Sequence, residues 1–250
     1  TKGYAKERIK TIFGEKVEDI DVSNRQVNLS NQSISYDKLI IATGGKVIIP
    51  SIRNLNKEGV FNFKSLADAD KIYKWSGEKA VVIGSGLIGI EVAMALKKRC
   101  YQVCVVELLD WILPQVFDEQ PALLLKELME RNGVEILVGE RVNSINGKPK
   151  VTHVITDKRE IECDTVILAT GIKPNVELAQ KSKLKIGRLG GIEVNKQMAT
   201  SLGDVYACGD CVETKDLVSG EEALNLLWHN AKQQSEIAAS NCLGNSRKYY

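Results

Sequence analysis

The sequence predicts an α/β protein in which a parallel sheet carries helices on its faces, and three observations lead to this fold class. Short apolar runs alternate with segments of helical periodicity through most of the chain. A glycine-rich turn, Gly84–Gly89, stands between an apolar run and a helical segment. An apolar strand that ends in Ala-Thr-Gly occurs twice. Crossover connections between parallel strands are typical of this order of elements.

Helix ends are marked by capping residues, and strands are marked by apolar runs between turn residues. Ser65 followed by Asp68 predicts a capping box at the start of a short helix. Pro121 near the start and Gly133 after the end delimit another helix. In chain order, the sequence predicts strands at Val17–Asp21, Gln26–Leu29, Tyr36–Thr43, Ala80–Ile83, Gln102–Glu107, Val134–Val138, Arg141–Ile145, Lys150–Thr156, Arg159–Glu162, Thr165–Ala169 and Asp204–Ala207. It predicts helices at Leu66–Trp75, Leu87–Arg99, Asp118–Asn132 and Glu222–Leu243.

The glycine-rich turn has the residues and spacing of a dinucleotide-binding loop. Gly84 permits a tight turn, Gly86 lets the backbone approach a pyrophosphate, and Gly89 lets the helix pack close to the strand. The helix N-terminus offers unpaired N–H groups to phosphates. Glu107, which ends the next strand, lies at the distance along the chain where an acid reaches a ribose 2′-hydroxyl. The alternative is a tightly packed glycine turn that binds nothing.

The two Ala-Thr-Gly strands indicate an internal duplication. YDKLIIATGG at Tyr36–Gly45 aligns without a gap with CDTVILATGIK at Cys163–Lys173. Small residues at a strand end allow close approach of a ligand or of a neighbouring backbone. Two copies suggest two related dinucleotide-binding domains, although only one copy is accompanied by the glycine loop. We expect residues 67–188 to form one domain, inserted into a second domain made of residues 1–66 and 189–250.

Composition sets limits on the function. The chain has 250 residues, a net charge of +2 and 26% charged residues, so neither nucleic acid nor membrane is predicted as a partner. The apolar stretch Ala80–Leu96 contains three glycines and Glu91, which argues against a transmembrane helix. Most of the six cysteines lie in apolar or strand-like segments, which favours a reducing cytoplasm over a disulfide framework. The first residue, Thr1, suggests a fragment or a processed product.

Four motifs in one order carry a resemblance to a known family. They are YDKLIIATGG, GSGLIGIE, ATGIKPN and VYACGDCVE, the last at 205–213 with Asp204 before it. Together they resemble the FAD-dependent pyridine nucleotide–disulphide oxidoreductases, in the branch of NADH oxidases, coenzyme A disulphide reductases and rubredoxin or nitrite reductases. The resemblance implies a Rossmann-like flavoprotein with two dinucleotide-binding domains, the NAD domain being inserted in an FAD domain that is partial in this chain.

The resemblance also implies roles for individual residues. Glu91 would approach the nicotinamide, Glu107 would bind the adenosine ribose, and Asp210 would bind the flavin ribityl chain. No Lys or Arg occurs in Leu108–Ile112 to meet a 2′-phosphate, so NAD is favoured over NADP. The candidate NAD residues are Gly84, Gly86, Leu87, Ile88, Gly89, Glu91, Glu107 and Gly171. The candidate FAD residues are Ala42, Thr43, Gly44, Gly209 and Asp210.

Parts of the family's machinery are expected outside this sequence. The resemblance implies that the first FAD loop, and any redox cysteine, lie before Thr1, and that an interface domain follows Tyr250. The catalytic residues are therefore unassigned. We expect the isolated chain to bind NADH and to hold FAD weakly or not at all, without a stoichiometric flavin band near ~450 nm. A homodimer is expected for the full-length protein.

The predicted activity is hydride transfer from NADH to flavin, followed by transfer to oxygen, a disulphide or a small redox protein. A non-catalytic NAD(H)-binding or redox-sensing module is the alternative, and a dehydrogenase with a single NAD site fits poorly. Cys208 and Cys211 have CxxC spacing, but a structural role is favoured over a redox pair, and no metal site is predicted. His229 is interpreted as a surface or packing residue. The leucines of the third helix are expected in the core: Leu123, Leu124, Leu125 and Leu128.

Overall fold

A computed structural model describes residue 4 and residues 6–250 as a mixed α/β protein. Its strands, in chain order, are β1 Val17–Asp21, β2 Gln26–Leu29, β3 Ser33–Ser35, β4 Leu39–Ile41, β5 Gly45–Val47, β6 Val60–Asn62, β7 Lys79–Ile83, β8 Gln102–Val106, β9 Val134–Leu137, β10 Val142–Asn146, β11 His153–Thr156, β12 Glu160–Glu162, β13 Thr165–Leu168, β14 Ile172–Pro174, β15 Ile192–Glu193, β16 Val205–Ala207, β17 Val212–Lys215 and β18 Glu222–Ala223. Its helices are α1 Leu66–Lys74, α2 Leu87–Lys98, α3 Glu119–Arg131, α4 Glu177–Lys181 and α5 Trp228–Cys242. The predicted α/β class is confirmed.

The chain divides into two compact units. The central unit is Val47–Ile172, and the flanking unit combines Thr1–Lys46 with Lys173–Tyr250. The chain crosses between them at β5 and β14, which form a two-stranded sheet.

The central unit is built on a five-stranded sheet in the order β6-β13-β7-β8-β9, and all four strand pairs are parallel. Successive residues of a strand point to opposite faces. Val82, Val105 and Ile167 pack in the cluster that includes helix residues, whereas Val81 and Val166 pack against the antiparallel β10-β11-β12 sheet. Because both faces are covered, these strands are mainly apolar, as buried parallel strands are.

Helix α1 begins with the predicted capping box. The Asp68 backbone N–H donates to Ser65 Oγ (3.2 Å), and the Ser65 N–H donates to Asp68 Oδ2 (2.9 Å). Both hydrogen bonds of the capping box form within residues 65–68, so this helix start could be predicted from the local sequence.

The flanking unit contains small sheets around its own core. Strands β4 and β16 pair in parallel, β1, β2 and β3 form an antiparallel sheet, and β15, β17 and β18 form a third sheet. Helix α5 packs its buried face, which includes Ile237 and Ala238, in a cluster with Met198 and Cys208. Ile41 at the end of β4 belongs to a larger cluster that also holds Ala207.

The unit boundaries differ from the expected 67–188; strand pairing explains the first difference and apolar packing explains the second. Strand β6 precedes residue 67 but pairs in parallel with β13, so the segment before it belongs to the central unit. Ala179 and Leu184 precede residue 188 but pack in one cluster with Ile20 and Ile41 of the flanking unit. These long-range contacts leave no mark in local sequence pattern.

Two further expectations are corrected. The helix predicted from Glu222 begins at Trp228, because Glu222 and Ala223 pair as β18 with Lys215 and Thr214 of β17. On α3, the buried side is formed by Ala122 and Met129, with Leu125 packed against the same core. The other leucines of that run lie on the outward side and are 46%, 70% and 55% exposed: Leu123, Leu124 and Leu128.

Within residue 4 and residues 6–250, no helix has both the length and the apolar character needed to cross a membrane.

The contrast between buried and outward apolar residues predicts unequal mutational costs. Ile167→Ala removes a side chain that is 0% exposed at the middle of the parallel sheet, and should lower the free energy of unfolding by about 2–5 kcal/mol. Leu124→Ala, the matched control at a 70% exposed position, should change it by no more than about 0.5 kcal/mol. Urea unfolding followed by circular dichroism measures both. Equal losses for the two variants would contradict the packing described.

Candidate functional site

Two of the three loop glycines are required by close packing within the central unit. Gly84 has φ +101°, and a Cβ placed there would lie 2.5 Å from the Ala169 carbonyl oxygen. A Cβ on Gly89 would lie 2.0 Å from the Gly84 carbonyl oxygen. The turn after β7 therefore rests against the end of β13, and α2 rests against the turn. Both glycines are explained without a ligand.

Gly86 differs, because a Cβ there would meet no protein atom within 4 Å and its φ is −67°. It is the N-cap of α2, and within the described chain no side chain caps this helix end. The first intrahelical bond runs from the Ile90 N–H to the Gly86 carbonyl (3.0 Å), so earlier N–H groups of the turn point outward from the helix. Leu87 and Ile88 are about half exposed beside it. Packing alone would allow a larger residue at position 86. A phosphate group that approached these N–H groups would require glycine there, because a side chain would occupy its space.

Glu107 is tied to the glycine loop by a buried carboxylate. Its Oε2 accepts from the Ser85 backbone N–H (2.8 Å) and from Ser85 Oγ (2.7 Å), and its Oε1 accepts from the Leu109 N–H (3.0 Å). Ser85 is 0% exposed and Glu107 is 8% exposed. The sequence pointed to Glu107 and missed Ser85, because a serine between two glycines carries no signal by itself.

The second Ala-Thr-Gly copy lies at the same edge of the sheet. Thr170 Oγ1 donates to the Ile48 carbonyl (2.8 Å), and the Ile48 N–H donates to the Gly171 carbonyl (3.0 Å). Gly171 has φ +94°, which favours glycine. Glu91 is exposed on α2, two residues after Gly89. The carboxyl ends of parallel strands are where ligands bind in open α/β sheets, and the candidate NAD residues follow three of these strands.

The first Ala-Thr-Gly copy is held in the same manner within the flanking unit. Thr43 Oγ1 donates to the Asn175 carbonyl (2.6 Å), and the Asn175 N–H donates to the Gly44 carbonyl (2.9 Å). Asn175 lies in the ATGIKPN motif, but the sequence did not indicate that it would hold the other copy. Each threonine thus fixes a strand end whose glycine adopts positive φ, +66° at Gly44.

An apolar groove with a volume of about 370 Å³ brings together most of the candidate FAD residues. A Cβ on Gly44 would meet nothing within 4 Å, and the nearest atom to one on Gly209 would be the Ala231 Cβ at 3.7 Å. Thr43 supports the groove without lining it. The groove is lined by Ala42, Gly44, Cys208, Gly209, Asp210, Leu226, Trp228, Ala231 and Ser235.

The Gly209–Asp210 turn is positioned by a residue that the sequence did not reveal. Gln234 of α5 is 1% exposed, and its Oε1 accepts from the Gly209 N–H (2.8 Å). The Cys208 N–H donates to the Ile41 carbonyl (3.1 Å), which joins this turn to the end of β4. Asp210 lines the groove and is half-buried. A buried glutamine in a helix looks like a surface residue until its partner is known.

The cysteine pair beside this turn is buried, and burial disfavours the thiolate form of both residues. Burial raises the pKa of the Cys208 thiol to about 11 and also raises the pKa of Cys211, whose Sγ donates to the Cys208 carbonyl (3.2 Å). A thiol with such a pKa is scarcely ionised at neutral pH, and the thiolate is the reactive form. Among the described residues no group of three His, Cys, Asp or Glu side chains is arranged to hold a metal ion.

Both sites fit the cofactors that the motifs suggest. The open face of Gly86, the unpaired N–H groups and the acid at the next strand end suit a dinucleotide pyrophosphate and ribose. The apolar groove with two unobstructed glycines and one carboxylate suits an extended ring system with a polyhydroxyl chain.

Comparison with known proteins identifies a family and several relatives. Residues 1–235 match the pyridine nucleotide-disulphide oxidoreductase family. An NADH oxidase from Methanocaldococcus jannaschii is 36% identical over 99% of this chain and 57% of its own length. The chain spans about half the length of the curated relatives it matches.

Solved structures agree with these matches. An NAD-dependent persulfide reductase from A. fulgidus superposes with a TM-score of 0.96 at 35% identity, covering 98% of this chain and 47% of that one. An engineered water-forming NADPH oxidase bound to NADPH superposes with a TM-score of 0.93 at 25% identity, covering 99% and 57%. It is a five-substitution mutant of a Lactobacillus brevis water-forming NADH oxidase. The predicted two-domain dinucleotide-binding fold is confirmed.

The loop geometry predicts that two glycines three residues apart respond differently to alanine. Gly89→Ala should lower the free energy of unfolding by about 1–3 kcal/mol, because the new methyl group overlaps the Gly84 carbonyl. Gly86→Ala, the matched control, should cost no more than about 1 kcal/mol, since its Cβ enters open space. Chemical unfolding measures both. A larger loss at Gly86 than at Gly89 would refute this assignment.

Proposed function

Since the chain belongs to the pyridine nucleotide-disulphide oxidoreductase family, we propose that it is part of an FAD-dependent enzyme that oxidises NADH. The observation that carries the proposal is the glycine loop, in which Gly86 opens to solvent while Gly84 and Gly89 are fixed by packing. A loop that only needed tight packing would have no use for a third glycine with free space around it. The reported relatives are oxidases and reductases, so they give the non-catalytic alternative no support.

In the proposed NAD site, different residues bind different parts of the dinucleotide. The turn Gly84–Gly89 and the first N–H groups of α2 hold the pyrophosphate by hydrogen bonds and the helix dipole. Glu107 accepts a hydrogen bond from the adenosine ribose. Leu87 and Ile88 offer half-exposed apolar surface beside the phosphates. Glu91 and Gly171 lie toward the nicotinamide end.

In the proposed FAD site, the apolar groove of the flanking unit holds part of the flavin cofactor. Gly44 and Gly209 let the ligand approach the backbone, and Ala42 adds a small wall. The Asp210 carboxylate accepts hydrogen bonds from ribityl hydroxyls. Thr43 keeps the strand end in place through Asn175.

The FAD held by these residues would supply the hydride acceptor and the redox chemistry of the proposed reaction. The residues of this chain bind and orient: the loop fixes NADH by its phosphates, and Glu107 fixes the adenosine end. Cys208 and Cys211 are given no redox role in this proposal, because burial raises the pKa of both thiols and disfavours the reactive thiolate.

The preference for NADH over NADPH is supported by the engineered relative. Its five substitutions, which accompany a change from NADH oxidase to NADPH oxidase, fall on a glycine, an aspartate, the two residues after it and a proline. The same spacing in this chain gives Gly89, Glu107, Leu108, Leu109 and Pro114. An acid therefore stands here where the NADPH-using variant has none, and a leucine where it has an arginine.

We propose three classes of electron acceptor for the enzyme. Oxygen and a disulphide or persulfide are supported as acceptors by the reported relatives, which include NADH oxidases and a persulfide reductase. A small redox protein is proposed as the third class of acceptor. We also propose a homodimer for the full-length protein. A cytoplasmic location is proposed because all six cysteines are free thiols, which suits a reducing compartment.

Substitution of Gly86 tests the NAD site. Gly86→Val should abolish detectable NADH binding, lowering affinity at least about 100-fold, because the side chain occupies the space reserved for the pyrophosphate. Isothermal titration with NADH measures this, and the thermal transition checks that the variant is folded. Retained affinity in a folded variant would overturn the loop assignment.

Substitution of Asp210 tests the FAD site. Asp210→Ala should weaken FAD binding about ten-fold by removing a charge-assisted acceptor, while NADH affinity stays unchanged. Asp37→Ala removes an exposed carboxylate from the same unit and serves as the matched control. FAD titration, followed through flavin fluorescence, distinguishes them. Equal FAD affinity in wild type and Asp210→Ala would place the ribityl contact elsewhere.

A further inference from the structure

We propose that Ser85 is a positioning residue for the rejection of NADPH, because its hydroxyl fixes the orientation of the Glu107 carboxylate in the NAD site. The inference rests on the proposed NAD site and deepens it, since it names a positioning residue for coenzyme selection. Ser85 would not touch the ribose; it acts through Glu107.

The carboxylate is held from two sides. Ser85 supplies two donors to Oε2, its backbone N–H at 2.8 Å and its hydroxyl at 2.7 Å, and Leu109 supplies a backbone donor to Oε1 at 3.0 Å. The Glu107 backbone is itself anchored, since its N–H donates to the Leu137 carbonyl (2.8 Å). The side chain is 8% exposed. Such a carboxylate cannot turn away without abandoning several charge-assisted hydrogen bonds in a buried place.

The fixed Glu107 carboxylate has one hydrogen-bond acceptor position left for a coenzyme. A carboxylate has about four lone-pair positions, and the three donors occupy two on Oε2 and one on Oε1. One position on Oε1 remains for a ligand, and it needs a donor. The ribose 2′-hydroxyl of NADH provides an O–H, whereas the 2′-phosphate of NADPH brings negative charge to a negative group that cannot move.

Of the three donors, only one depends on the identity of a side chain. The N–H groups of Ser85 and Leu109 would survive almost any substitution, but the hydroxyl requires Ser85. Its loss leaves Oε2 with one donor and frees the carboxylate to rotate or to take a water molecule. NADPH could then bind with the acid displaced, and NADH would lose part of a preformed contact.

The test compares NADH and NADPH affinities of wild type, Ser85→Ala and Ser144→Ala by isothermal titration. Ser144 is 6% exposed in the central unit, so its variant removes a buried serine hydroxyl outside the loop. Ser85→Ala should lower the NADPH-to-NADH Kd ratio about ten-fold, and Ser144→Ala should leave it unchanged. In a Glu107→Ala background, adding Ser85→Ala should cause no further change, since the serine acts through the carboxylate.

A cofactor-free readout separates positioning from mere stability. If the hydroxyl fixes the carboxylate, Ser85→Ala should speed amide hydrogen exchange at Leu109, whose N–H donates to Oε1, while Ser144→Ala should not.

The outcomes divide cleanly. If wild type binds NADH and Ser85→Ala has the same NADPH-to-NADH Kd ratio as wild type, this inference is overturned and the proposed function still holds. Unchanged exchange at Leu109 overturns it as well. A wild-type protein that binds neither NADH nor NADPH overturns the proposed function, and coenzyme selection falls with it.

Discussion

The pairing of β13 on both of its edges is the constraint on which the central unit depends. Strand β13 lies between β6 and β7, in register with segments that are distant in the chain, and its residues Val166 and Ile167 are fully buried. The end of β13 also places Ala169 against Gly84. The conformation of the glycine loop therefore depends on the pairing of β13 in the sheet. The candidate NAD site exists only where these strand ends meet.

The two Ala-Thr-Gly strand ends are held in place by the same type of hydrogen bond. A strand end near a ligand must have small residues, yet a short, glycine-ended segment is loosely held by its own side chains. Thr43 and Thr170 each supply the missing restraint by donating to a carbonyl of a remote segment, at Asn175 and Ile48. In both units the restraint leaves the glycine backbone open, and the proposed cofactors use that opening.

The chemistry of this chain is therefore mostly that of binding. Burial raises the pKa of the Cys104 and Cys163 thiols to about 12, which disfavours their reactive thiolate form. The Glu107 carboxylate accepts three hydrogen bonds, which restrict its movement. In the proposed NAD site, a carboxylate held in this way would select one coenzyme at little entropic cost, and the proposed redox chemistry would be supplied by the cofactors.

Features whose physical causes lie within a few residues of each other could be predicted from the amino-acid sequence. The α1 capping box, the order of strand, glycine turn and helix around Gly86, and the acid at the end of β8 were all predicted, because their signals are local or at fixed spacing. Tertiary structure decided the rest. The unit boundaries at β5 and β14, the pairing that turned Glu222 into a strand residue, and the exposure of Leu124 depend on partners far along the chain. Ser85, Asn175 and Gln234 gained their roles in the same way, since a polar side chain shows no partner until folding supplies one.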